Sequence, residues 1–315
     1  MTPLCVRVFA PASISNLGPG FDVLGIAIRK PGDFVVAERC KKPGLFFTLD
    51  SPVDDIPTSG RENVAGHVAS LMLRELKPGF GIRMTLQKKM PLGSGLGSSG
   101  ASSVASAVAV NALLTKPLPK TDLLRFAVEG ERKASGSPHA DNVAPSLLGG
   151  LCLIRSYRPL DVLQLPISSR LTWIVVHPHL VVKTKHARSV LPESLKLSTA
   201  IQQWGNVGGL TAGLILGNET FLRKCIDDNV AEPVRARFIP GFHEVQSAAM
   251  RAGAVGCSIS GSGPSLFAIA TNRTLAQNVA FAMVKTFRRI AKVDCDIFIS
   301  KVNDKGAKIL WMKHN

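Results

Sequence analysis

The sequence holds 315 residues, 45% hydrophobic and 19% charged, a mix that excludes disorder and predicts two domains, since single cores stop growing near about 250 residues. The formal net charge of +16 attracts anions in general. Its carriers are scattered in pairs such as Lys88-Lys89 and Arg288-Arg289, with no basic tail, RNP motif or helix-turn-helix signature, so no nucleic-acid partner is expected.

In chain order, apolar residues alternate through 6–10 (Val6, Val8) and through 82–87 (Ile82, Met84, Leu86), the period of half-buried strands. Residues 34–39 and 45–49 read as two more strands. Val64, Val68, Leu71, Met72 and Leu76 recur at helical spacing, which predicts a helix over 63–76 with Asn63 as its N-cap. After 151–155 the turn-prone Tyr157-Arg158-Pro159 marks the expected passage to a second domain, giving units of 1–155 and 156–315. Beyond it come a strand over 172–177, a Gly-broken helix over 197–216, a helix over 241–252, apolar runs over 255–260 and 265–270, and a long helix over 275–292. Strands and helices alternate without a regular βαβ spacing, which favours an α+β fold.

Six cysteines without a C-x-x-C pair fit free thiols in a reducing cytoplasm, the expected location. No apolar leader follows Arg7. The most apolar helical stretch, 101–114, is too short to span a bilayer and carries Ser102, Ser103 and Ser106, so no membrane partner is expected.

The most informative stretch runs from the strand ending at Gln87 into an Ala/Ser-rich helix: Pro91, Leu92, Gly93, Ser94, Gly95, Leu96, Gly97, Ser98, Ser99, Gly100 and Ala101. Glycines let backbone N–H groups converge on a polyanion, and the helix start adds partial positive charge. No Gly-Lys-Ser/Thr closes the loop, so it is not a Walker A motif. Read alone, a Gly/Ser-rich turn serves equally to change chain direction.

That stretch resembles the second signature of the GHMP kinases, named for galactokinase, homoserine, mevalonate and phosphomevalonate kinases. Residues 10–22 resemble the first signature and residues 253–264 the third, in family order. Within the family, Asn16-Leu17-Gly18-Pro19-Gly20-Phe21-Asp22 and His139-Ala140-Asp141-Asn142-Val143-Ala144-Pro145 resemble the homoserine kinase branch. Departures are small: Ile14 and Cys257 replace usually small residues, and Gly100 a common alanine. The resemblance implies an N-terminal domain like ribosomal protein S5 domain 2, a ferredoxin-like C-terminal domain, ligands bound between them, and a homodimer. It also implies transfer of the γ-phosphoryl of ATP to the terminal hydroxyl of L-homoserine, the alternative being another small alcohol of mevalonate or sugar type.

Homoserine is a zwitterion with a terminal hydroxyl, so its site needs a carboxylate, guanidinium groups and a polar group. Asp22, Arg188, Arg237 and Asn142 are able to fill those roles; singly, Asp22 also reads as a turn cap, an arginine more often as a solvated surface charge, and His139 or Asn142 more usually as a partner of loop backbone. By resemblance Asn16 and Asp22 meet the amino end, Thr184, Arg188 and Arg237 the carboxylate, and His139 and Asn142 the hydroxyl. Thr184 and Arg188 share a face if Thr184 begins a helix.

Leu124, Ala127, Val128 and Glu131 fall on one helical stripe, which turns Glu131 inward and Glu129 outward. An inward carboxylate takes a cation, or pairs with a neighbour such as Arg125 or Lys133. The resemblance assigns Mg²⁺ to Glu131 and Ser98, makes Asn142, Glu131 and Ser98 the catalytic set, and gives Asn63 the adenine. Asp141 is expected to point away from the hydroxyl if side chains alternate there.

Overall fold

The computed structural model describes residues 3–50 and 56–314. The first sheet is built on β1 (Cys5–Ser15) and β2 (Leu24–Cys40), paired antiparallel over most of their length. Along β2, Asp33, Val35 and Ala37 point inward and alternate with more exposed neighbours, the two-residue period of a strand with one covered face. β4 (Gly81–Gln87) lies against the second half of β2, and β3 (Leu45–Leu49) pairs parallel to β4 at the edge. β5 (Leu151–Tyr157) joins the first half of β2 and forms a hairpin with β6 (Leu160–Leu165).

Four helices complete this unit: α1 (Val64–Leu76), α2 (Ser98–Ala112), α3 (Leu124–Ser135) and α4 (Ala140–Leu148). Asn63 caps α1 as its sequence predicts, its side chain accepting from the Ala65 N–H at 3.0 Å. The central helix is α2, in which Gly100 to Asn111 are all buried. Its small Ala, Ser and Val side chains let it pack among α1, α3 and the sheet, and the Ser106 hydroxyl is satisfied by donating to the Ala65 carbonyl at 2.6 Å.

The second sheet holds β7 (Thr172–Pro178), β8 (Gly256–Ile259), β9 (Leu266–Ala270) and β10 (Cys295–Ser300) in the order β10-β7-β9-β8, all pairs antiparallel. Between β7 and β8 run α5 (Thr184–Ser189), α6 (Leu197–Leu216), α7 (Glu219–Cys225), α8 (Glu232–Arg235) and α9 (Phe242–Arg251). α10 (Arg273–Ile290) joins β9 to β10. With α9 and α10 as its helices this is the βαββαβ path of a ferredoxin-like unit, so the expected α+β architecture is present. β7 is buried on both faces and reads accordingly as a continuous apolar run. Trp173 and Val175 join the core of the first sheet, whereas Ile174 and Val176 pack with α9 and α10.

The expected division at residue 155 falls inside β5. Tyr157-Arg158-Pro159 is the hairpin turn into β6, still in the first sheet, because a turn signal reports a reversal and not which sheet the next strand joins. The chain also returns: β11 (Lys308–Lys313) pairs antiparallel with β1.

Candidate active site

The glycine-rich loop leaves β4 and enters α2 at the junction of the two sheets. Gly93, Gly95 and Gly97 all have positive φ (57°, 77° and 65°), the alternation that turns successive N–H groups to one side. Four loop carbonyls are tied outward: Gly93 accepts from the Val182 N–H (3.4 Å), Ser94 from Ser265 N–H (3.2 Å), Leu96 from Ser13 N–H (3.1 Å) and Gly95 from the Ser260 hydroxyl (2.7 Å). Among the described residues, no backbone N–H from 93 to 99 donates to a protein acceptor. Amides without a partner in a loop whose alternate glycines are left-handed fit a cradle for an anion, and the loop packs too closely for side chains. A Cβ on Gly97 would overlap the Ser13 hydroxyl and lie 2.7 Å from Asn142 Oδ1. Leu92 to Gly95 and Gly97 to Ser99 line the pocket, while Leu96, Gly100 and Ala101 are buried beneath it and Pro91 borders an adjoining cleft.

The third sequence signature, around the β8–β9 turn, holds this loop. Ser260 and Ser265 bond its carbonyls, and the Gly261 carbonyl accepts from Asn16 Nδ2 at 2.9 Å and from Arg235 Nη1 at 3.0 Å. Asn16 Oδ1 accepts in turn from the Asp22 N–H at 3.2 Å. Asn16 therefore spends its amide on the turn that presents Asp22.

Asp22 and Arg188 form a two-bond ion pair across the junction, one of the bonds 3.2 Å long. Arg188 also donates to His139 Nε2 at 2.8 Å, which makes that nitrogen an acceptor and leaves the ring proton on Nδ1, facing the Ser135 hydroxyl at 3.0 Å. Burial keeps the His139 pKa below its ordinary value, consistent with this neutral ring. The hydrogen bonds that Arg188 donates to Asp22 hold the Arg188 pKa up. Thr184 begins α5, so it shares a face with Arg188 as expected, and its hydroxyl meets that of Ser262 at 3.3 Å.

Arg237 is a correction. It is exposed and lies over the neighbouring Phe238 ring, whereas Arg235 is 4% exposed, lines the pocket and sits over Phe21 at 4.9 Å. Two residues along a helical path turn a side chain to the opposite side, so only one member of Arg-Ala-Arg reaches inward. Arg235 is fixed there by its donation to the Ala187 and Gly261 carbonyls.

Glu131 points inward as its helical stripe predicts and is 4% exposed. Burial pushes its carboxyl up to about 7. Its Oε1 and the Ser98 hydroxyl are buried and find no hydrogen-bond partner among the described residues. An orphaned carboxylate oxygen and an orphaned hydroxyl in one pocket, beside unpartnered amides, fit a hard divalent cation that takes few protein ligands.

Asn142 and Asp141 both line the pocket, which corrects the expectation that Asp141 points away. The segment is the first turn of α4 and not an extended strand, so neighbours stand about 100° apart instead of on opposite faces. Asn142 Oδ1 accepts from the Ser13 hydroxyl at 2.9 Å. Burial, then the charges of Asp22 and Glu131, hold the Asp141 carboxyl well above the ordinary carboxylate range, so it is a poor candidate for an ionised base at neutral pH. Asn63 lies in the adjoining cleft with Pro91, Lys133, Lys183 and His177; its amide caps α1 and donates to the Pro57 carbonyl at 2.9 Å.

The profile of the GHMP kinases N terminal domain matches residues 63–150, and that of the GHMP kinases C terminal domain matches residues 213–289. A homoserine kinase of Chlorobium phaeobacteroides is 44% identical over 97% of this chain and 99% of its own length. The chain belongs to the homoserine kinase family of the GHMP kinases. A second member of the family, from Pyrococcus abyssi, is 38% identical over 96% of this chain and 98% of its own length. A crystal structure of homoserine kinase from Cytophaga hutchinsonii superposes with a TM-score of 0.93 at 46% identity, covering 97% of both chains. The mevalonate kinase of L. major shares the fold at a TM-score of 0.72 and 16% identity, covering 94% of this chain and 95% of its own.

Sequence reasoning missed Arg235 as an inward group and Ser13 as the partner of Asn142. The Arg235 signal was present in the Arg-x-Arg spacing, once that segment is treated as helical.

Proposed function

We infer that this chain transfers the γ-phosphoryl group of ATP to the terminal hydroxyl of L-homoserine, giving O-phospho-L-homoserine and ADP in threonine biosynthesis. The observation that carries the reading is the placing of one carboxylate, Asp22, and two guanidinium groups, Arg188 and Arg235, beside a loop of unpartnered amides. A zwitterion replaces the Asp22–Arg188 pair with its own charges: its ammonium faces Asp22 and its carboxylate the two arginines.

The loop amides of residues 93–99 and the start of α2 receive the triphosphate, with Asn63 and the adjoining cleft taking the base. Ser98 and Glu131 would hold a Mg²⁺ ion, which neutralises phosphate charge when bound. The transferring group is loose and metaphosphate-like in most analyses, so orientation and charge neutralisation supply most of the rate. Asn142, steadied by Ser13, and His139, steadied by Arg188, orient the hydroxyl without acting as strong bases. As the bond from the γ-phosphorus to the bridging oxygen of ADP breaks and the bond to the homoserine oxygen forms, the hydroxyl proton passes to an oxygen of the transferring phosphoryl group.

The cytoplasm is the proposed location, supported by six free cysteines. A homodimer is proposed on the exposed apolar side of α6, where Leu197, Ile201, Trp204 and Leu216 stand in solvent; light scattering that returns a monomer mass refutes it. The function is tested by assaying phosphorylation of homoserine, mevalonate, galactose and shikimate with MgATP. Turnover of mevalonate without turnover of homoserine refutes it.

A further inference from the structure

Asp33 breaks the pattern of its strand. It occupies an inward position of β2 in series with Val35 and Ala37, where an apolar residue is the rule, and its side chain is 0% exposed. Its partner is Lys88, whose side chain is 4% exposed. Replacing such a buried ion pair by apolar residues is often neutral or stabilising, so stability alone gives no reason for it.

The bonds of the pair follow a pattern. Asp33 Oδ1 accepts from the N–H groups of Lys89 (2.9 Å) and Met90 (3.2 Å), the residues that lead out of β4 into the glycine-rich loop. Asp33 Oδ2 accepts from Lys88 Nζ and from the Ser102 hydroxyl, the latter at 2.8 Å. Lys88 Nζ also donates to the carbonyl of Ser98, which opens α2 where the loop ends, at 2.6 Å, and to Ser102 Oγ, one turn further along, at 2.8 Å. One buried pair thus grips both ends of the loop.

Among the described residues the amides of 93–99 have no protein acceptors, and within the stretch the Ser94 hydroxyl donates to the Pro91 carbonyl at 2.9 Å, so most of its shape is set from outside. It is held from outside by its carbonyls and at its two feet by Asp33 and Lys88. Fixing the Ser98 carbonyl also fixes the backbone that carries the Ser98 hydroxyl, one of the two orphaned groups. We propose that Asp33 and Lys88 are positioning residues for nucleotide binding, acting through the glycine-rich loop and Ser98. This rests on the kinase reading above, and it adds that the loop's affinity for phosphate depends on two buried side chains that act through its backbone.

The test uses the full chain and titration calorimetry with a non-hydrolysable ATP analogue plus Mg²⁺, and separately with L-homoserine. The variants are Asp33→Asn, Lys88→Met, the double variant Asp33→Asn/Lys88→Met, and Ser102→Ala. Asp33→Asn and Lys88→Met are expected to weaken the analogue about 10- to 100-fold, with homoserine affinity changed by less than about twofold. Ser102→Ala removes one hydroxyl and no charge, so it tests the brace even if a charge variant fails to fold; a fewfold loss for the analogue alone is expected. The double variant, whose partners are removed together, is expected to fold while still binding the analogue weakly. Folded variants, by circular dichroism, that bind the analogue like the natural chain overturn the proposal. So does an equal loss for both ligands, which marks a general structural role. Failure of the natural chain to bind the analogue overturns the kinase reading itself and the proposal with it.

Discussion

Replacing Arg188, Arg235 and Arg237 by alanine one at a time separates the two guanidinium groups in the pocket from the one outside it. Charge-assisted hydrogen bonds are worth about 1.5–3 kcal/mol each, and a carboxylate facing Arg188 gains up to two. The pair that homoserine must first break, Arg188 with Asp22, is 34% and 22% exposed, so it offsets only about 1 kcal/mol of that gain. The net loss on Arg188→Ala is about 2 kcal/mol at the low end and about 5 if both bonds are strong, which is roughly 30-fold to a few thousand-fold in homoserine Kd. Arg235→Ala is expected to cost at least as much and to lower Tm as well, because the Ala187 and Gly261 carbonyls lose their donor. Arg237→Ala, on an exposed side chain, should change neither by more than about 0.5 kcal/mol. Calorimetry with homoserine alone reads the binding, and the KM for ATP serves as the internal control. A tenfold or larger loss on Arg237→Ala with Arg188→Ala unaffected, on the scale of about 1.4 kcal/mol, would refute this account of the carboxylate site.

Gly95→Ala forces a side chain into a left-handed φ of 77° and against the Ser260 carbonyl; the backbone penalty alone is about 1–2 kcal/mol. Loss of nucleotide binding with homoserine binding retained is expected, and an unchanged KM for ATP would contradict it. Glu131→Gln keeps the shape of the side chain and removes its charge, so Mn²⁺ affinity measured by electron paramagnetic resonance with ADP present should fall about 10- to 100-fold; equal affinities would remove Glu131 from the metal site. Glu232, on α8, is pushed up to about 7 by burial, against an ordinary 4.5, although hydrogen bonds from Ser258 and Gln246 pull the other way. A raised carboxyl stabilises the fold fully below 4.5 and loses that contribution as pH climbs through about 7, an effect of up to about 3 kcal/mol. Glu232→Gln should therefore gain Tm relative to the natural chain between pH 5 and pH 8, and parallel Tm curves would exclude this assignment.

Much of the site is legible because its residues sit in local patterns. Asn63 reads as a cap from the helical spacing of Val64, Val68 and Leu71, and Glu131 as inward from three apolar residues on its stripe. Thr184 and Arg188 share a face because four residues make about one helical turn. The residues that escape depend on which local geometry a short segment takes. Asp141 turns away under a strand's alternation and faces the pocket under a helix's. Arg237 and Arg235 exchange roles for the same reason. Asp33 is invisible as a loop support, since its partners Lys88 and Ser102 are 55 and 69 residues away, beyond any periodic signal. The hairpin of β5 and β6, like the pairing of β11, is a matter of which edge a strand finds, and spacing does not encode that.

The docking of β11 on β1 has a bearing on how such a chain is made. Residues 308–313 are synthesised long after β1, yet they cover its outer edge. Until they arrive, the backbone groups of Cys5 to Phe9 on that side stand open to any passing strand, a recognised route to aggregation. Premature termination a few residues upstream of 308 would spare every residue of the pocket and still leave an adhesive border.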